Sequence, residues 1–287
     1  MLGPTGIRSG AERDTWCVAE LGMTEHMPTA ELLAAFGARG SLERMSGGRG
    51  LTWRAGDIVV RPVGDPEEST WKSRVLATLE GSDEFTVPRP IPDDRGAWVR
   101  DGWEAWEWIP GAADESRVDE IVHAGTAFHQ SIAALPCPEF IAGSDDAWSR
   151  ADRMAWGEDA LPSSELLDLL AGAFRAVGSA SQVIHGDLLG NVMFAPGRPP
   201  ALIDWAPYWR PPGSGAAIAV VDAVCWHGHP LERIGDDRGV SDWGQLLVRA
   251  LAFRIATLHL LGSWNQGHVE RHRPVAAAIV ELAKATV

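Results

Sequence analysis

The sequence predicts an α+β fold in two lobes, a small N-terminal lobe built on an antiparallel sheet and a larger, mainly helical C-terminal lobe. Three observations carry this. From Leu42 to Val63, and again from Ala97 to Ile109, the chain reads as short strands broken by glycine and proline. Beyond Gly111 the apolar residues recur at helical spacing. One stretch in the helical half, VIHGDLLGNVMFAPGRPPALIDW from Val183 to Trp205, reverts to strand and turn. At 287 residues, 45% hydrophobic and 22% charged, the chain is long enough for such a core and ordinary in composition.

Residues 1–26 read as a weakly patterned leader with Gly3, Pro4, Gly6 and Gly10; the N-terminal lobe is expected over 27–109 and the C-terminal lobe over 110–287. Thr29 caps a short helix to Phe36 that puts Leu32, Leu33 and Phe36 on one side and stops at Gly37. Leu42 to Ser46, Leu51 to Arg54 and Asp57 to Val63 follow as a strand meander, joined by the turn Ser46-Gly47-Gly48-Arg49-Gly50 and by Ala55-Gly56. Asp65 then caps a helix to Leu79, with Pro66, Glu67 and Glu68 suited to its first turn. Extended stretches at Ala97 to Val99 and Gly102 to Ile109 end the lobe at Pro110-Gly111. Helices are expected at Val118 to Leu135, Ser164 to Val177, Ala216 to Trp226, Asp242 to Leu261 and Val269 to Ala285. Between the second and third of these, Val192 to Ala195 and Ala201 to Ile203 form a hairpin across a proline-rich turn.

Charge and cysteine content narrow the function classes. Asp plus Glu number 39 against 25 Lys plus Arg, a net charge of −14 that repels nucleic acid and anionic membranes and attracts cations. Three cysteines, Cys17, Cys137 and Cys225, lie far apart without metal-ligand spacing, the usage of a reducing compartment. No apolar run approaches the roughly 20 residues that span a bilayer, so a cytoplasmic protein, monomeric or dimeric, is expected.

The chemistry concentrates in the hairpin. Phosphoryl transfer needs a carboxylate to orient and deprotonate the acceptor hydroxyl, oxygen ligands for Mg²⁺, and cations on the phosphates. Asp187, in the loop His185-Gly186-Asp187-Leu188-Leu189-Gly190-Asn191, is the candidate base, on a backbone that its glycines let turn tightly. Asn191 enters one strand and Asp204 leaves the other, so closing the hairpin offers one neutral and one anionic oxygen to a hard cation. Aspartate and asparagine beside glycine turns also shape loops through local hydrogen bonds, and that reading stands beside the catalytic one. Asp222 lies in AAIAVVDAVCW, apolar almost all round, where a carboxylate must be paired or hydrogen-bonded.

HGDLLGN followed by LIDW resembles the catalytic loop and metal-binding segment of the aminoglycoside phosphotransferases and related small-molecule kinases, which share the bilobal protein-kinase-like fold. GARGSLERMSGGRGLTWRAGDIVVRPV, AGTAFHQSIAALP, DRMAWGE and IDWAPYWRPP extend the likeness, to an actinobacterial group of phosphotransferase-like proteins, over nearly all of the chain after Met27. The resemblance implies ATP and Mg²⁺ as cofactors, Asp187 as base, Asn191 and Asp204 as metal ligands, His185 holding the loop and Asp222 bracing it. It also implies an ATP site with Arg61 on the phosphates, paired to a helix acid, Glu68 ahead of Glu67, under a turn containing Gly47, Gly48 and Gly50. The adenine is then expected against the backbone from Trp106 through Trp108 to Ile109. Two departures matter. Only Leu188, Leu189 and Gly190 separate Asp187 from Asn191, where the family has four residues, and Arg61 stands where the family has lysine.

The acceptor is expected to be a cationic, hydroxylated small molecule, an antibiotic of the aminoglycoside or tuberactinomycin (capreomycin or viomycin) type. Two acidic stretches suggest this: Asp145, Asp146, Asp152, Glu158 and Asp159, which include Trp148 and Trp156, and then Asp236, Asp237 and Asp242. Asp152, Trp156, Glu158, Asp159 and Asp237 are the contact candidates. A metabolic kinase for an amino alcohol or sugar and a nucleotide-binding pseudokinase are the alternatives, with a metal-dependent hydrolase on His185, Asp187 and Asp204 further behind.

Overall fold

The computed structural model describes residues 27–45 and 50–285. The leader, and Gly47 and Gly48 of the glycine turn, lie outside the described residues. The chain forms two compact units, one of Met1–Leu79 with Pro88–Ile109 and the other of Glu80–Val87 with Pro110–Val287.

In the first unit, helix α1 (Ala30–Ala35) starts where Thr29 accepts the Leu32 amide at 3.1 Å. The meander is β1 (Leu42–Arg44), β2 (Trp53–Ala55) and β3 (Ile58–Pro62), each antiparallel to the next. Helix α2 (Pro66–Thr78) begins as the sequence predicts: Asp65 accepts the amides of Glu67 and Glu68 at 2.7 and 3.4 Å, a cap of about 1 kcal/mol. Then come β4 (Pro90–Ile91), β5 (Val99–Arg100) and β6 (Trp103–Glu107). The sheet order is β1-β2-β3-β6-β4, with β5 on β6. Leu32, Phe36, Val60 and Ala105 form its buried core, with Trp53, Ile58, Ile91 and Trp103 packed against them. Register then fixes the face of everything else: Val60 opposes Ala105, and Arg61 opposes Glu104.

The second unit carries β7 (Ala112–Ala113), α3 (Val118–Ser131), α4 (Glu139–Gly143), α5 (Ala147–Ala155), α6 (Glu165–Gly172), β8 (Gln182–His185), β9 (Val192–Phe194), β10 (Ala201–Leu202), β11 (Pro207–Arg210), α7 (Gly213–Trp226), α8 (Trp243–Leu260) and α9 (Gln266–Ala285). The hairpin forms as expected, Leu202 opposite Val192, and β7 adds a third strand. Strands β8 and β11, which the sequence reading did not separate from their surroundings, pair with each other and put His185 opposite Pro207. Glu80–Val87 joins this unit because Thr86 donates to Pro200 O at 2.8 Å and accepts from the Leu202 amide at 2.9 Å. Helix α7 is buried nearly all round, as an apolar helix in the middle of a bundle must be. Among the described residues no helix is long and apolar enough to cross a membrane.

Candidate active site

Strand β8 delivers His185 into the core and leads into the loop that carries Asp187. His185 is fully buried, and its Nδ1 accepts the Asp187 amide at 3.2 Å. That bond assigns the ring hydrogen to Nε2, which donates to Ile203 O at 3.0 Å. The His185 ring therefore ties the loop to the hairpin. His129 on α3 repeats the device, buried behind the His185 amide. Its Nε2 accepts the His185 amide at 2.9 Å, so its Nδ1 donates to Pro212 O at 3.0 Å. Burial, with His185 beside it, pushes His129 down to about 3, and the ring stays neutral.

The short spacer closes as a turn. The Asn191 amide donates to Leu188 O at 3.0 Å, and Gly190 at φ +85° takes the left-handed position such a turn requires. Leu188 and Leu189 are buried beneath it. The Asn191 side-chain nitrogen donates to Asp187 O at 2.7 Å and to Asp187 Oδ2 at 3.2 Å. Its carbonyl oxygen accepts no hydrogen bond among the described residues. Across the hairpin the Ile203 amide donates to Asn191 O at 2.9 Å, and Asp204 follows at φ +51°, a left-handed position that aspartate tolerates better than most residues. A free amide oxygen and a carboxylate one residue beyond its cross-strand partner fit a hard divalent cation that keeps water and phosphate oxygens as its other ligands. Among the described residues no group of three or more His, Cys, Asp and Glu forms a protein cage.

Asp187 remains 46% exposed at its side chain, and its Oδ1 accepts from Arg254 Nη2 at 2.8 Å. The Arg254 Nε reaches both oxygens of Asp222, at 2.9 and 3.1 Å, and Nη2 bonds Asp222 as well. Burial works to lower Arg254, but Asp222 and Asp187 together hold it above its ordinary value. Asp222 thus has the partner its apolar helix demands. The sequence offered one signal for Arg254, a charge in the otherwise apolar LLVRALAFRIATL of α8.

In the first unit, Arg61 Nε donates to Glu104 Oε1 on β6 at 2.6 Å. Glu104 is an acid the sequence reading did not select, and the chosen Glu68 accepts from Lys72 Nζ at 2.7 Å on its own helix. Burial acts to raise Glu104, but Arg61, Lys72 and Ser69 together bring it below its ordinary value. Lys72, one of two lysines in the chain, therefore joins Arg61 in the field of this carboxylate. At the described edge of the glycine turn, Arg44 Nε donates to Gly50 O at 2.7 Å. Trp106 is buried in β6, while Trp108 lies under the Arg54 guanidinium at 4.2 Å. The amides of Glu107 and Trp108 are committed to Arg89 O and Asp57 O, both at 2.8 Å, whereas that of Ile109 has no partner among the described residues.

The acidic stretch is largely helix, α5, started by Asp146 accepting the Trp148 amide at 2.8 Å. Asp152, Trp156 and Glu158 do come together, but around Arg210. Its Nη2 meets Asp152 at 2.7 Å, its Nη1 meets Glu158 at 2.6 Å, and the guanidinium lies 4.9 Å from the Trp156 ring. Burial raises the Asp152 carboxyl against the pull of Arg210. Asp159 pairs with Arg153 at 2.9 Å, and Asp237 accepts the Gly239 amide at 2.8 Å within its own turn. The first stretch therefore meets the solvent with much of its charge already matched by arginine.

No protein-family model matches the sequence, and no curated protein matches it. Solved structures match it in fold. The choline kinase LicA from Streptococcus pneumoniae aligns at TM-score 0.56 and 13% identity over 88% of this chain and 97% of that one. The amicoumacin kinase hAmiN, in complex with AMP-PNP, Ca²⁺ and Ami, aligns at 0.55 and 11% over 88% and 92%. The AMP-bound spectinomycin phosphotransferase APH(9)-Ia aligns at 0.52 and 13% over 89% and 96%. With a sheet-bearing N-terminal unit and a helical C-terminal unit, the chain has the protein-kinase-like fold of these small-molecule kinases.

Proposed function

We propose that the protein is a cytoplasmic, ATP-dependent O-phosphotransferase acting on a hydroxyl of a cationic small molecule. The observation that carries this reading is Asp187: a half-exposed carboxylate on a turn closed by Asn191, with Asp204 on the facing strand. The likeness in fold to small-molecule kinases supports it.

In the proposed reaction the acceptor hydroxyl donates to Asp187. Its oxygen bonds to the γ-phosphorus as the bond to the β–γ bridging oxygen breaks; ADP leaves, and the hydroxyl proton passes to Asp187. Asn191 and Asp204 would hold Mg²⁺, which when bound neutralises charge on the phosphates. Arg61, steadied by Glu104, and Lys72 would supply cations to the phosphates. The adenine is held at the Ile109 amide, one residue past Trp108.

An antibiotic acceptor, aminoglycoside or tuberactinomycin, remains the leading class from the net charge of −14, and its phosphorylation would confer resistance by adding a dianion to a cationic drug. A second reading, an amino alcohol or sugar acceptor, is favoured by Arg210, which already occupies the carboxylates of Asp152 and Glu158. The test is ADP release with Mg-ATP across hygromycin B, spectinomycin, amicoumacin, capreomycin, viomycin, choline and simple sugars, with mass spectrometry of the product. One added phosphate on a single class assigns the acceptor; ATP binding without turnover on any acceptor would favour a pseudokinase.

A further inference from the structure

We infer that Arg254 is a positioning residue for the transfer step, the arm through which buried Asp222 fixes the carboxylate of Asp187. The inference rests on the phosphotransferase reading and deepens it. Side-chain exposure rises along the chain of contacts, from 6% at Asp222 through 14% at Arg254 to 46% at Asp187. The inner end is rigid, because Asp222 sits on a helix buried on nearly every side and Arg254 grips both its oxygens through Nε. The outer end is a half-exposed aspartate whose side-chain torsions have, besides Arg254, the longer bond from Asn191 Nδ2 to restrain them.

Arg254 removes that freedom with a planar fork. Each hydrogen on Nη2 serves a different acid, one Asp222 and the other Asp187 Oδ1 at 2.8 Å. With Oδ1 held, Oδ2 becomes the oxygen presented to the acceptor. Among the described residues it accepts only the longer bond from Asn191 Nδ2, at 3.2 Å. If Arg254 served stability alone, Asp222 would satisfy it; the bond to Asp187 is one that the buried pair does not need. A base misplaced by an ångström forfeits about 100-fold in rate, which sets the effect to expect.

The test exploits the fact that a buried ion pair is often replaceable by apolar residues of similar volume without loss of stability. The paired variant Asp222→Leu with Arg254→Met should melt near wild type and bind ATP equally well. Its kcat should fall about 100-fold, with KM for ATP changed by less than about twofold. Guanidinium added to Arg254→Ala should restore part of kcat. A folded paired variant turning over within about threefold of wild type, or a loss of kcat that merely follows the folded fraction, overturns the inference. If the paired variant does not fold, Arg254→Lys, which keeps the charge without the fork, is read by the same criteria. If wild type transfers phosphate to no acceptor, the phosphotransferase reading fails, and crystal structures decide the positioning claim separately. Asp187 should keep its orientation in wild type and lose it in the variant carrying the change at Arg254; an unchanged orientation overturns it.

Discussion

At the scale of single residues, the site is organised by two neutral histidines whose tautomers follow from their partners. His185 can accept from the Asp187 amide only while it is unprotonated at Nδ1, and His129 can accept from the His185 amide only while unprotonated at Nε2. Folding therefore holds His129 below its unfolded value of 6.5, down to about 3. Between those values the unfolded chain binds the extra proton, so stability is highest above the window and falls as pH is lowered through it, by at most about 1.4 kcal/mol per pH unit from this residue. His129→Gln, whose amide both accepts and donates, should flatten that part of the slope. Urea midpoints at about pH 7, 5.5 and 4.5 read it out, and a slope equal to wild type would mean that His129 is not the titrating group.

At the scale of elements, the hairpin and the cap of α2 were legible because their signals are local: alternation of apolar residues, turn formers, and an aspartate before a proline and two glutamates. The partners of the site were not legible for the complementary reason. Arg61 and Glu104 lie 43 residues apart and meet only because β3 pairs with β6 in one register, while Arg254 and Asp187 lie 67 apart. Helix α5 shows the same limit from the other side. Its acids read as a field for a cationic ligand, but Arg210, 58 residues beyond Asp152, takes up two of the carboxylates. The β3–β6 pair makes a prediction of its own. Glu104→Gln leaves Arg61 without its buried counter-charge and should cost about 1–3 kcal/mol of stability at neutral pH. Because Glu104 is held below its ordinary value of 4.5, its contribution is complete above that pH and is lost as pH falls below it, so the variant should also be less acid-sensitive there. If Arg61 serves the phosphates, KM for ATP rises about tenfold, the equivalent of one charged hydrogen bond. Thermal melts at neutral and acid pH and ATP kinetics check the two parts separately.

At the scale of the whole molecule, a chain with no matching family model has a kinase-like fold at 11–13% identity to the solved kinases described above. A strand ending in a buried histidine leads to a turn carrying an exposed aspartate, and a hairpin sets an asparagine against the residue before a second aspartate. Gly190 closes the turn between Asp187 and Asn191, and Glu104 takes the charge of Arg61. The central claim is that Asp187 handles the proton of an acceptor hydroxyl. Its most direct test is Asp187→Asn against wild type in a single-turnover assay with Mg-ATP and the acceptor found by the substrate panel. The account predicts ATP binding within about twofold of wild type and phosphoryl transfer slowed by at least about 100-fold. Transfer at a near-normal rate in a folded, ATP-binding Asp187→Asn would contradict it.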